Sequence, residues 1–122
     1  MEGMTDRRTT TRPLPHRRLL AYEVALQLLV AVKHAQIRDA KLRDQALRAA
    51  KSTALNIAEG AARVSPADRS RVFAIARGEA MEATAAVEIA VLAGDAEQVA
   101  LEACLPIADQ LFALLTGLAR KG

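Results

Sequence analysis

Aromatic side chains are nearly missing from this chain: no tryptophan, one tyrosine and two phenylalanines in 122 residues. At 2% aromatic, the core has to come from aliphatic and small side chains, which suits closely spaced helices better than a sheet. Cys104 is the single cysteine, so a disulfide framework and a paired-thiol metal site are both excluded. His16 and His34 have no second ligand at helical spacing beside them, and neither forms a metal motif. The Gly60-Ala61-Ala62 run lacks the second glycine and the lysine of a phosphate loop. Ser52 has only Arg48, Asn56 and Glu59 within helical range, none of them a base that would activate it. These absences predict a non-enzymatic protein with no catalytic residue, cofactor or metal. Glu23, Gln27 and Lys33 interrupt the greasiest segment, and no stretch is read as a membrane span. The N-terminus has no apolar signal core. The expectation is a cytoplasmic protein with no membrane contact.

What is present is the balance of a folded domain. The chain is 52% apolar and 25% charged, and its length fits one domain with one core. The net charge of +3 is unevenly spread. Residues 1–60 carry eleven Lys/Arg against six Asp/Glu, whereas residues 61–122 carry six against eight. Basic asymmetry of this size permits contact with phosphate backbones or an acidic partner.

Residues 1–15, MEGMTDRRTTTRPLP, hold Arg7, Arg8 and Arg12 and almost nothing to bury. They are expected to be a disordered basic tail, either a solubilising segment or an arm toward nucleic acid, before a bundle over residues 16–122. From Arg17 or Leu19 to about Ile37 the spacing predicts a helix. Leu19, Tyr22, Leu26, Leu29 and Val30 lie on one side, with Leu20, Val24, Leu28 and Val32 also apolar. Only Glu23, Gln27, His34 and Arg38 form a polar stripe, so this helix needs burial on more than one side. A four-helix bundle buries one stripe per helix, and the surplus predicts a subunit interface. Asp39 is the expected N-cap of a second helix that ends near Gly60 to Arg63. Ser65, Pro66 and Asp68 announce a third, with Phe73, Ala76, Ala80, Ala83, Val87 and Ala90 inward and Gly94 closing it. Asp95 and Gln98 resemble a capping box for a fourth. Its stripe is Leu101, Leu105, Ala108, Leu111 or Phe112, Leu115 and Leu118, and a kink or break is expected at Pro106. The fold class is all-α, an antiparallel up-down four-helix bundle.

The segment around which the rest is organised is Gln45–Arg63. Leu47, Ala50, Ala54, Ile57 and Ala61 recur at three and four on a face that should be buried. Gln45, Arg48, Ser52, Asn56, Glu59 and Arg63 form a second, polar row. In a structural reading, Asn56 and Glu59 satisfy backbone groups after the helix while Arg48 and Arg63 pair with acids such as Glu79 and Glu82. In a functional reading, Arg48, Lys51, Arg63, Arg69, Arg71 and Arg77 supply phosphate contacts. With few aromatics to stack on bases, such binding would read shape and charge. Glu59, Glu79 and Glu82 could gather as a carboxylate cluster, but the Glu-x-x-His pattern of di-iron bundles is missing.

Gln45, Arg48-Ala49, Ser52, Asn56-Ile57-Ala58-Glu59-Gly60, Arg63, Ser65, Phe73, Ile75-Ala76, Gly78 and Glu82 together resemble the signature of the four-helix-bundle proteins encoded in intervening sequences of bacterial 23S rRNA genes. Leu20, Tyr22 and Ala25 fit its first helix, and the resemblance covers about residues 19–118. It departs at Glu79, where the family usually has Ser, and at Ala61 and Ala62. Members are similar in fold to the accessory variability protein of diversity-generating retroelements, a homopentamer that binds nucleic acid and assists a reverse transcriptase. The resemblance therefore implies a homopentamer of bundles, with RNA or DNA and a protein such as a reverse transcriptase as possible partners. It assigns Gln45, Ser52, Asn56, Glu59, Gly60, Gly78 and Glu82 to a structural motif. The function expected is an accessory factor that associates with structured nucleic acid; the alternative is a protein-binding adaptor.

Overall fold

The carboxylate of Asp39 accepts the Leu42 backbone N–H at 2.9 Å, and this cap turns one long apolar segment into two helices. The computed structural model describes residues 14–121. It contains a 3-10 turn at Pro15–Arg18 and four helices: α1 Leu20–His34, α2 Ala40–Ala62, α3 Pro66–Leu92 and α4 Gln98–Lys121. The expected tail, with Arg7, Arg8 and Arg12, lies outside the described residues. Each helix packs against its chain neighbours, and α4 returns onto α1. The result is an antiparallel square in which contact across the α1–α3 diagonal is slight.

The first connection contains neither glycine nor proline. It turns through Gln36, which takes a left-handed φ of 50°, a conformation that is uncommon for a residue with a side chain. The second is set by Ser65, whose hydroxyl accepts the Asp68 N–H at 3.1 Å, with Pro66 at the first helical position. The third ends α3 as predicted at Gly94, with φ 82°. There Gly94 N–H donates to Val91 O at 3.1 Å and Asp95 N–H to Ala90 O at 2.7 Å, the paired bonds of a Schellman ending. Arg38 sews the first and third connections together: its N–H donates to Asp95 O at 2.8 Å and its guanidinium to Gly94 O at 2.6 Å.

Several expectations change in register. On α1 the buried residues are Ala21, Val24, Ala25, Leu28 and Val32, while Leu26 and Val30 remain 40% and 51% exposed. On α2, Leu47 and Ala61 are half-buried, and the core face is Ala46, Ala49, Ala50, Thr53, Ala54, Ile57 and Gly60. Thr53 fits there because its hydroxyl donates to the Ala49 carbonyl at 2.8 Å. The α3 face is as predicted. Helix α4 begins at Gln98, leaving Asp95 three residues outside it. Its core residues are Leu101, Cys104, Leu111 and Leu115, with Leu105 47% exposed. It runs without a break through Pro106. Pro106 and Glu102 are both exposed, so water can hydrate the carbonyl that the proline leaves without its donor.

Two apolar surfaces stay uncovered. A groove of about 930 Å³ lies between α1 and α4, bordered by Leu26, Val30, Val99, Ala103 and Ile107. Helix α4 is also long and apolar enough to cross a membrane by length and composition: an 18-residue window averages a mean hydropathy of 1.5, with 22% of it buried. The expectation that no stretch is long and apolar enough to span a membrane is corrected here at α4; α1 is the more apolar helix per residue but is only 15 residues long. The second surface is the outer side of α3, opposite the core, where Ala74, Gly78, Met81, Ala85 and Leu92 recur at helical spacing and are all exposed.

Candidate nucleic-acid interface

In an antiparallel pair, each step along α2 is a step back along α3, and this register decides who meets whom in the polar row. Gln45 Nε2 reaches Glu82 Oε2 at 3.4 Å. Near the other end of α2, Arg63 meets Asp68 at 3.1 Å and Glu59 of its own helix at 3.4 Å. The expected pairing of Arg63 with Glu79 or Glu82 is therefore replaced, and among the described residues Arg48 makes no ion pair. Asn56 does not reach forward to the loop. Its Nδ2 donates back to the Ser52 carbonyl at 2.9 Å and hydroxyl at 3.0 Å. Glu59 lies fourteen residues from Gln45 along α2, about 20 Å by helix rise, so it is not gathered with Glu82. Among the described residues no three acidic, histidine or cysteine side chains come together to hold an ion. Burial pushes the Cys104 thiol above its ordinary pKa, keeping it protonated and inert as a core side chain.

The six cations singled out by sequence divide into three places. Arg48 and Lys51 border a shallow concavity on α2 with Leu47, Ser52 and Leu55. Arg77 is bound to α4: its Nε donates to Thr116 Oγ1 at 2.8 Å, and its guanidinium lies 4.0 Å from the centre of the Phe112 ring. Arg63, Arg69 and Arg71 stand together at one end of the bundle. Four chain segments meet at that end, because the 3-10 turn precedes α1, α2 finishes, α3 starts and α4 finishes there. The Ser70 hydroxyl donates to the Ala119 carbonyl, fastening α3 to α4. Pro15, Arg18, Leu19, Ala61 and Arg69 line one cleft between the 3-10 turn, α2 and α3.

This end is basic. Among the described residues, Arg17, Arg18, Arg63, Arg69, Arg71, Arg120 and Lys121 share it with three side-chain carboxylates, Glu23, Glu59 and Asp68. Asp68 holds Arg71 at 2.8 Å as well as Arg63. The opposite end reverses the sign, with Lys33, Arg38, Lys41 and Arg43 against Asp39, Asp44, Glu88, Asp95, Glu97 and Glu102. A bundle with one cationic pole presents a field that attracts polyanions end-on.

The family model described as 23S rRNA-intervening sequence protein matches residues 18–117. The chain belongs to that family. A search of curated proteins finds no match. For this member of the 23S rRNA-intervening sequence proteins, the matched span takes in α1, α2, α3 and most of α4. Arg120 and Lys121 of the basic pole lie beyond it, and Arg17 just before it.

Sequence reasoning did not single out Arg17, Arg18, Arg120 and Lys121 as site residues. Their signal is positional: each lies within a few residues of a helix end that an antiparallel bundle places at the same pole. The residues of the expected structural motif have unlike surroundings. Gly60 is buried against Phe73, with a Cβ at that point 2.9 Å from the ring. Gln45 and Glu82 link α2 to α3. Gly78 differs, since nothing lies within 4 Å of where its Cβ would be.

Proposed function

We propose that this protein is a non-enzymatic, homo-oligomeric helical bundle, a homopentamer, that associates with structured RNA or another nucleic acid as an accessory factor. The observation that carries the reading is the basic pole, seven cations against three side-chain carboxylates among the described residues at one end of the bundle. With one tyrosine and two phenylalanines in the chain, and Phe73 fully buried, base stacking contributes little, and binding follows the phosphate backbone.

Two apolar surfaces support assembly. The α1–α4 groove and the outer face of α3 occupy different sides of the square, so a contact between them is head-to-tail. Contacts of that kind close into rings when the rotation permits. The experiment is the native mass of the particle, followed by titration with a labelled structured RNA at low and moderate salt. A pentamer whose RNA affinity falls steeply with salt supports the reading.

The α1–α4 groove also favours a second reading, a protein-binding adaptor whose polar motif is structural. Binding of a protein partner that persists as salt rises, with no RNA affinity, would select it.

A further inference from the structure

We infer that the cleft between Arg18 and Arg69 is a subsite for one phosphate group of a nucleic-acid backbone; this rests on the nucleic-acid reading above and names the place where that reading acts. The cleft has a volume of about 260 Å³ and is lined by Pro15, Arg18, Leu19, Ala61 and Arg69. Arg69 lines this cleft, and its Nε is buried with no hydrogen-bond partner among the described residues. A charged N–H shielded from water and left without an acceptor is costly, so native structures supply one. Neither Asp68 nor the Ala119 carbonyl accepts from Arg69 Nε. Asp68 is held by Arg63 and Arg71, and the carbonyl of Ala119 takes the Ser70 hydroxyl.

The missing acceptor is therefore expected from outside the described residues, and its chemistry is set by the surroundings. Two guanidinium groups border one small cleft, Arg18 on the exposed 3-10 turn and Arg69 on α3. Guanidinium groups bind phosphate oxygens through parallel N–H donors. Ala61 contributes only a methyl group to the wall. The five other cations of the pole lie around the cleft at the same end of the bundle, placed to meet further phosphates of one backbone. A single anchored phosphate would fix the register of the nucleic acid on the pole.

The test uses the full chain, a labelled RNA hairpin and a series of salt concentrations. R18Q/R69Q is expected to bind at least tenfold more weakly at low salt. Its log–log salt slope should be shallower by about 0.7–0.9 for each phosphate that the variant no longer neutralises. In parallel, inorganic phosphate should raise the melting temperature of the wild type above an equal ionic strength of chloride, and this increment should vanish in R69Q. R18Q alters only an exposed side chain and supplies the same readouts should R69Q fail to fold. Wild-type binding with unchanged affinity and slope in R18Q and R18Q/R69Q overturns the subsite and leaves the nucleic-acid reading standing. A wild type that binds no RNA at low salt overturns both.

Discussion

The ring of Phe73 lies 2.9 Å from the point where a Cβ on Gly60 would stand. Phe73 is fully buried, so it has no solvent side to retreat into, and the last turn of α2 can approach α3 only without a side chain. Gly60→Ala should gain about 1 kcal/mol of helix propensity and lose about 1–3 kcal/mol to overpacking. A net loss of stability is expected. Urea unfolding measures it, and an unchanged or higher midpoint would mean that Phe73 yields.

Gly78 is the control for that argument. It lies inside α3, exposed, with nothing within 4 Å of its would-be Cβ. Gly78→Ala should raise the unfolding free energy by about 0.5–1 kcal/mol through reduced backbone entropy. The two glycines of the family signature are thus expected to respond with opposite signs in the same assay.

Much of this architecture could be read from local chemistry, because caps act within a few residues. Asp39, Ser65 and Gly94 each do what their side chain or its absence dictates. Asp95 and Gln98 look like a similar signal. There, however, the backbone is fixed by a distant group, the Arg38 N–H on the Asp95 carbonyl, and no local pattern reports that. The exchange of Leu105 for Cys104 in the core is a rotation of about 100° around α4, smaller than the width of its apolar stripe, so periodicity alone does not separate them. The polar row is legible as a row but not in its pairings, which depend on the α2–α3 register. The basic pole is legible least, because its cations are spread from Arg17 to Lys121 and meet only through the return of four helices.

The outer face of α3 gives a test of assembly that leaves the fold untouched. Met81 and Ala85 are exposed and have the core on the opposite side of their helix. A charge at either position costs little in a lone bundle, whereas inside an interface it would be desolvated without a partner. Met81→Arg and, in a second variant, Ala85→Glu should each reduce the native mass while leaving helical content unchanged. Retention of the full particle mass in both would remove this face from the interface.

Asp68 gives a pH signature. Its carboxyl is held below the ordinary carboxylate range, first by the hydrogen bond from Arg71, with the Arg63 charge adding and partial desolvation opposing. The folded value lies below the unfolded one, about 3.9. Its contribution to stability is therefore fully present above the unfolded pKa and is lost as pH falls through the folded value. The melting temperature should decline on acidification below about pH 4, the unfolded carboxylate range, and decline less in Asp68→Asn. Because Asp68 also neutralises Arg63 and Arg71, the same variant should bind RNA more tightly at low salt.

Arg77 separates a cation that holds the bundle from one that meets a ligand. Its guanidinium stacks on Phe112 and donates to Thr116, two contacts that need a flat, forked donor. Lysine keeps the charge but offers neither the stacking plane nor the Nε–H. Arg77→Lys should therefore cost about 1 kcal/mol of stability from the cation–π contact and hydrogen bond together. RNA affinity and its salt slope should stay at the wild-type values, because the charge is retained. Loss of RNA binding in this variant at unchanged stability would move Arg77 from the α3–α4 seam to the nucleic-acid surface.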